Sequence, residues 1–189
     1  AYMELGWGGY WAWDPVENAS LIPWFAASAF LHTAVVETRR GSLRKTNVFL
    51  ASLTLIMSFF GTYLVRSGVI DSLHAFGSGG VGSPLLTYIL FSLFLTLAVI
   101  WVGPAVKWES RPLGSLLSRE GFLLIASWVL LALGLIILLG TMWPVISKFW
   151  ESNPQGLKEG FYNKTALPFF VILALLLAVC PWLKWKGGV

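Results

Sequence analysis

Five long runs of apolar residues, separated by short polar segments, dominate the pattern along the chain. They lie near residues 19–36, 48–65, 84–106, 122–146 and 166–182. Each run has close to the ~20 residues with which an α-helix crosses the hydrocarbon core of a bilayer. The pattern therefore predicts an all-α fold, a polytopic transmembrane helical bundle of about five spans.

The first predicted helix has sequence signals at both ends. Asp14 is a favourable N-cap, Pro15 suits the first helical position, and Glu17 completes a capping box in which Asp replaces Ser or Thr. The basic stretch that ends in Gly41 predicts the C-terminus of the helix. Three prolines are expected near the ends of apolar runs, where a missing N–H does least harm: Pro23, Pro104 and Pro168.

Composition agrees with a membrane protein, since 57% of the residues are hydrophobic and only 12% are charged. A soluble domain carries about 25% charged residues. The net charge of +4 does not indicate nucleic acid binding, because the basic residues lie in loops between the apolar runs. The single cysteine, Cys180, excludes an internal disulfide and a Cys-based metal cage. Because the chain has no initiator Met and no cleavable signal pattern, we expect a segment or one piece of a split protein.

The distribution of Lys and Arg predicts the orientation in the membrane. If the loop after the first helix is cytoplasmic, nine of the 13 basic residues face that side: Arg39, Arg40, Arg44, Lys45, Lys107, Arg111, Arg119, Lys184 and Lys186. This bias favours an odd number of spans with the N-terminal stretch outside. Outside means the periplasm in a bacterium and the intermembrane space in a mitochondrion.

Aromatic residues and glycines crowd the stretch before the first helix. Its sequence is Trp7-Gly8-Gly9-Tyr10-Trp11-Ala12-Trp13-Asp14. A belt of interfacial aromatic residues is the common alternative, but a belt does not need the glycines. Glycines indicate tight turning or close approach of the backbone to a flat apolar partner. We therefore divide the chain into an external Trp-rich motif, residues 1–18, and a transmembrane helical domain, residues 19–189.

The two histidines of the chain have different settings. His32 lies 17 residues after Pro15, roughly 25 Å along the first helix, and an ionisable residue inside a span indicates a functional site. The alternative is a neutral histidine that hydrogen-bonds a neighbouring helix. His74 lies in the loop after the second run and has an ordinary loop histidine as its alternative. Their separation means that they cannot ligate one metal ion together, and imidazole in a dry pocket suits haem iron.

Arg66 is the third ionisable candidate. It lies at the outer end of the second run, where the basic bias does not require a cation. It could pair with a haem propionate, or it could extend to the lipid headgroups without any ligand.

Three motifs together resemble the CcmF/NrfE branch of the haem-handling proteins of cytochrome c biogenesis. Trp7-Gly-Gly-Tyr-Trp-Ala-Trp-Asp-Pro-Val-Glu-Asn-Ala-Ser20 is similar to the Trp-rich "WWD" signature of these proteins. Gly61-Thr-Tyr-Leu-Val-Arg-Ser-Gly-Val69 with Ser72-Leu-His-Ala-Phe76, and Leu139-Gly-Thr-Met-Trp-Pro144, also resemble that branch. The resemblance extends through most of the chain.

The resemblance implies roles for individual residues. His74 matches an external ligand of the delivered haem iron, and His32 matches a ligand of the iron of a permanent haem b in the membrane. Each haem needs a second histidine that this sequence lacks. The implied cofactor-binding residues are Trp7, Gly8, Gly9, Tyr10, Trp11, Trp13, Asp14, His32, Arg66 and His74.

The implied function is cytochrome c-type biogenesis as a component of a haem lyase that presents haem to apocytochrome c. The implied partners are the haem chaperone CcmE, apocytochrome c, the thiol-handling subunit CcmH and membrane lipid, with no nucleic acid. The expected location is the bacterial inner membrane with the Trp-rich motif on the periplasmic side, or alternatively the mitochondrial inner membrane. A haem transporter or channel is the alternative function, and a structural subunit without haem is a third.

Overall fold

The computed structural model describes residues 10–70, 80–102 and 115–185. These residues form five long α-helices and no strand. In chain order, the helices are α1 (Pro15–Arg40), α2 (Arg44–Ser67), α3 (Gly82–Val102), α4 (Arg119–Ile146) and α5 (Glu159–Val179). All five are long and apolar enough to cross a membrane. The predicted all-α bundle of about five spans is therefore confirmed, and its architecture is that of a multi-pass membrane protein.

The ends of α1 follow the sequence signals. The Asp14 carboxylate accepts a 2.9 Å hydrogen bond from the Val16 N–H, and the Glu17 carboxylate accepts one of 3.1 Å from the Asp14 N–H. Gly41 adopts the left-handed conformation at φ 69° and donates its N–H to the Glu37 carbonyl at 2.7 Å. These contacts satisfy backbone groups that a helix end leaves without partners. The predicted capping box and glycine stop are confirmed.

Helix α1 is the centre of the bundle. It packs against both α2 and α4, while α3 lies against α2 and α5 lies against α4. The main core lies between α1, α2 and α4 and includes Phe25, Ala29, Leu50, Leu133 and Ile137. Small residues permit close contact between these helices, as is usual in membranes, where lipid is as apolar as the helices themselves.

The two ends of the bundle differ in chemistry. At the end that we call the aromatic end, the start of α1 meets the start of α5, and Trp143 and Trp150 pack edge to face at 5.8 Å. At the opposite end, the basic end, the Trp185 ring has the guanidinium groups of Arg39 and Arg119 at 5.6 and 5.7 Å. Arg39 and Arg119 thus lie together on the side that the charge bias of the sequence predicts to be the inner one.

The expectation about prolines was wrong for two of the three. Pro23 lies inside α1 and Pro168 lies inside α5, while Pro104 lies outside the described residues. A proline inside a helix has no N–H to donate to the carbonyl four residues earlier. For Pro23 this is the carbonyl of Ala19. A Cβ built on Gly61 of α2 would lie 3.2 Å from that oxygen, so the backbone of α2 packs directly against it. Such cover from a neighbouring helix is what makes an interior proline tolerable in a span.

Candidate functional site

His32 lines an apolar groove between α1, α4 and α5. The groove has a volume of about 400 Å³, within the range of ligand sites. Helix α1 contributes Trp24, Ser28 and His32 to its walls. Opposite them are residues of α4 and of the segment from α5 to Pro181: Arg119, Phe122, Leu123, Ala126, Leu130, Leu173, Leu176, Leu177, Cys180 and Pro181.

The imidazole of His32 has a defined hydrogen-bond partner. Its Nδ1 lies 2.6 Å from the carbonyl oxygen of Ser28, one helical turn earlier. Because a carbonyl oxygen can only accept, this contact needs a proton on Nδ1, and in the neutral imidazole the lone pair is then on Nε2. This tautomer is the one that ligates a metal through Nε2, with the second nitrogen oriented by a backbone carbonyl.

The donor set around His32 fits a haem better than a free metal ion. Among the described residues, no group of three or more His, Cys, Asp or Glu side chains could hold a metal ion. A haem brings four equatorial nitrogens and needs only axial ligands from protein, together with an apolar surround. The imidazole of His32 in this apolar groove supplies one such ligand.

The aromatic motif is attached to α5 through Trp13. The indole N–H of Trp13 donates a 2.8 Å hydrogen bond to the side-chain oxygen of Asn163. The Trp13 ring also stacks on Tyr162, with centroids 5.2 Å apart and planes 10° from parallel. Trp13 holds this position with φ at 57°, which is uncommon for a residue other than glycine. The side-chain amide of Asn18 supports that turn by donating to the Trp13 carbonyl at 3.0 Å.

The aromatic rings of the motif are therefore not equivalent. Tyr162 covers one face of Trp13, whereas Trp11 meets Trp13 edge to face at 5.7 Å and is 43% exposed. Tyr10 is 92% exposed. Trp11 and Tyr10 are the described rings with area available to a flat partner, and Trp13 anchors the segment.

Arg66 lines a second cavity, of about 420 Å³, between α1 and α2 at the aromatic end. The cavity also contains the hydroxyl groups of Ser20, Ser58 and Thr62. The hydroxyls of Ser58 and Thr62 donate to carbonyls of their own helix, at 2.9 and 3.3 Å. The exposed guanidinium of Arg66 is the cationic group of this cavity and faces the same membrane side as the aromatic motif.

The structure separates the predicted site residues into two groups. Tyr10, Trp11, Trp13, Asp14 and Arg66 lie at the aromatic end, and His32 lies in the groove toward the basic end. The other predicted site residues lie outside the described residues: Trp7, Gly8, Gly9 and His74.

Sequence reasoning missed four residues that shape these sites: Ser28, Arg119, Tyr162 and Asn163. The spacing of Ser28 and His32, four residues apart on one helix face, was a readable signal. No local pattern indicated the contacts that α5 makes with Trp13, which span 150 positions.

Comparison with known proteins finds similarity to cytochrome c biogenesis proteins along nearly the whole chain. A family model described as Cytochrome C assembly protein matches residues 1–70, which include the aromatic motif, His32 and Arg66. The chain is 38% identical over 98% of its length to the cytochrome c-type biogenesis protein ccl1 of Rhodobacter capsulatus, and 38% identical over 98% of its length to CcmF of Escherichia coli. The probable biogenesis protein NrfE of Escherichia coli is 36% identical over 98% of the chain. The chain is similar to one part of the CcmF/NrfE-type proteins.

A solved structure titled "Cytochrome c Heme Lyase CcmF" has the same fold as this CcmF/NrfE-type chain. The match covers 100% of the chain with a TM-score of 0.71 and 33% identity. It covers 27% of that structure, and the chain covers 28% of ccl1, 29% of the Escherichia coli CcmF and 34% of NrfE. The chain therefore corresponds to about three tenths of the length of its relatives.

Proposed function

We propose that this chain binds haem within a CcmF-type haem lyase, which attaches haem covalently to apocytochrome c. The observation that carries the proposal is the His32 imidazole in an apolar groove, with Nδ1 bonded to the Ser28 carbonyl and Nε2 left as a ligand. The identity to cytochrome c-type biogenesis proteins along the whole chain supports the same function.

The groove is proposed to hold a haem b, and His32 would supply one ligand to its iron. The apolar walls from α4 and α5 would exclude water from the bound ring, and the Ser28 carbonyl orients the imidazole. When bound, this haem would supply electrons that keep the delivered haem iron reduced. A second histidine ligand would have to come from outside this sequence, whose other histidine is the loop residue His74.

A second haem, delivered by the chaperone CcmE, is proposed to bind at the aromatic motif with His74 as a ligand. The exposed rings of Tyr10 and Trp11 supply stacking area, and Arg66 lies at the same end to pair with a propionate. This arrangement requires the aromatic end to face the periplasm of a bacterial inner membrane, or the intermembrane space of a mitochondrion.

The chain contributes positioning and ligation to the reaction. Thioether formation adds a thiol of the apocytochrome C-x-x-C-H motif across a haem vinyl group, so the sulfur, the proton and both carbons come from the partner and the haem. No nucleophile of this chain takes part, and CcmH would present the thiols. Holding vinyl and thiol in contact removes the entropic cost of their encounter.

A haem transporter remains the alternative function. It requires polar groups along the spans between the two ends of the bundle. Within the described residues, the hydroxyl-lined cavity lies at the aromatic end, and the groove toward the basic end is mainly apolar.

Absorption spectroscopy of the full-length protein, purified from a host without its own haem lyase, tests the proposal. We expect His32→Ala to abolish the b-type haem spectrum, because the remaining ligand cannot hold the iron alone. His74→Ala is the matched control, which should keep the b-type spectrum but abolish cytochrome c maturation in cells. An unchanged b-type spectrum in a folded His32→Ala protein would refute the assignment of the groove.

A further inference from the structure

The His32 groove has a cation at one end of an otherwise mainly apolar wall. Arg119 lines the groove where α4 begins, and the α4 residues that follow it in the wall are Phe122, Leu123, Ala126 and Leu130. From Arg119 to Leu130 the groove follows α4 for roughly 16 Å, at 1.5 Å per residue. A ligand that fills it therefore meets a cation at the basic end and apolar side chains along the rest of its length.

Arg119 is held in place by backbone and ring contacts, and no described carboxylate neutralises it. Its backbone N–H donates to the Lys184 carbonyl at 3.3 Å, and its guanidinium lies over the Trp185 ring at 5.7 Å. The adjacent carboxylate of Glu120 forms its ion pair with Arg40 instead. Across the part of the chain that the structure describes, no carboxylate lies within ion-pair distance of Arg119.

A positioned cation beside an apolar groove favours a ligand with an apolar body and an anionic edge. Charge-assisted hydrogen bonds from arginine to a carboxylate are short, strong and frequently bidentate. A low-dielectric surround strengthens such a pair, because solvent screens it less. The cation of Arg119 and the neutral nitrogen of His32 thus suit two different parts of one ligand.

We propose that Arg119 binds a propionate of the haem whose iron His32 ligates, so that the propionate edge faces the basic end of the bundle. This assignment rests on the haem b site proposed above. It makes Arg119 a positioning residue that fixes the orientation of the ring in the groove and sets the charge near the iron. The vinyl edge then lies toward Trp24 and Leu130, away from the basic end.

A redox titration of the b-type haem in the full-length protein tests the assignment. Arg119→Gln should keep the haem, because His32 still ligates the iron, but lower its midpoint potential. Loss of the cation leaves the propionate charge uncompensated, and a more negative surround favours ferric iron. In the same variant the potential should gain a pH dependence at mildly acidic pH, where the unpaired propionate takes up a proton. Arg119→Lys should restore most of the potential.

Arg39→Gln is the matched control. Arg39 lies over the same Trp185 ring at 5.6 Å but does not line the groove, so its loss should leave the potential near that of the parent protein. Equal shifts in the Arg39 and Arg119 variants, or no shift in either, would overturn the assignment while the haem b proposal stands. A b-type spectrum that survives His32→Ala would instead overturn the haem b proposal.

Two further outcomes are informative. If Arg119→Gln loses the haem while Arg119→Lys and Arg39→Gln retain it, the contact between Arg119 and the propionate is supported. Loss of the haem from both Gln variants would indicate general destabilisation and overturn the contact. An anionic lipid offers similar chemistry, so the titration is repeated in nanodiscs of purely zwitterionic lipid. A shift that disappears there would assign Arg119 to a lipid headgroup and overturn the propionate contact.

Discussion

Replacement of Trp13 by phenylalanine should loosen the external aromatic segment without unfolding the bundle. Phenylalanine can still stack on Tyr162, but it loses the 2.8 Å hydrogen bond from the indole N–H to Asn163. A hydrogen bond contributes about 0.5–1.5 kcal/mol net, and Asn163 is exposed, so its freed oxygen returns to water. We therefore expect the docking of the segment to weaken by about 1 kcal/mol, roughly a fivefold change in its equilibrium.

Hydrogen exchange measured by mass spectrometry reports this equilibrium. The N–H groups of Ala12 and Asp14 donate to the Glu17 carboxylate at 3.0 and 3.1 Å, so they exchange when the segment opens. In Trp13→Phe, exchange in a peptide that covers these residues should accelerate about fivefold. Trp13→Ala also loses the stacked pair, worth a further 0.5–1.5 kcal/mol or so beyond its buried area, and should accelerate exchange more than tenfold.

Two controls isolate the contact. Asn163→Ala should reproduce the effect of Trp13→Phe, and the double variant should add little, because both remove one hydrogen bond. Trp11→Phe keeps an aromatic edge against Trp13 and should leave exchange unchanged. If the Asn163 and Trp13 effects add fully, or if Trp13→Ala exchanges like the parent protein, the segment is not held through α5.

Two further predictions concern the start of α4. A Cβ on Gly121 would lie 2.3 Å from the carbonyl oxygen of Leu116, so Gly121→Ala should destabilise the fold by about 1–3 kcal/mol in detergent unfolding, whereas Gly160→Ala, with nothing within 4 Å, should not. Equal effects of the two alanines would contradict the close packing. Glu120 is 3% exposed and pairs with Arg40, so Glu120→Gln should cost about 3 kcal/mol by removing the charged partner from a largely buried ion pair. The double variant with Arg40→Gln should recover part of that loss, and no recovery would show that the pair is not the cause.

Local sequence signals predicted the individual helices well. The capping box of Asp14 and Glu17 and the left-handed Gly41 fixed both ends of α1, because such contacts join residues a few positions apart. His32 could also be singled out from the sequence, because an ionisable side chain within an apolar run is unusual whichever helices surround it. Its role as a haem ligand remains a prediction, as do the roles of His74 and Arg66.

The contacts between distant residues were not predictable in the same way. The attachment of Trp13 to Asn163 crosses 150 positions, and the groove of His32 combines α1 with α4 and α5. In the sequence, Arg119 counted only among the basic residues of the predicted inner side, whereas the structure places it in the wall of that groove. The position of Pro23 inside α1 was not predicted for the same reason. The close approach of Gly61 to the Ala19 carbonyl, which makes this proline tolerable, involves a different helix.

The sequence by itself determined five apolar helices and the ends of the first, and it predicted an inner and an outer membrane side and the residues that could ligate haem. Only the tertiary structure decided which helices adjoin, which aromatic rings stay exposed and which cation reaches the His32 groove. The physical reason is the solvent. In water an apolar stripe marks the buried face of a helix, but in lipid every face of a span is apolar, so hydropathy does not distinguish a neighbouring helix from the bilayer.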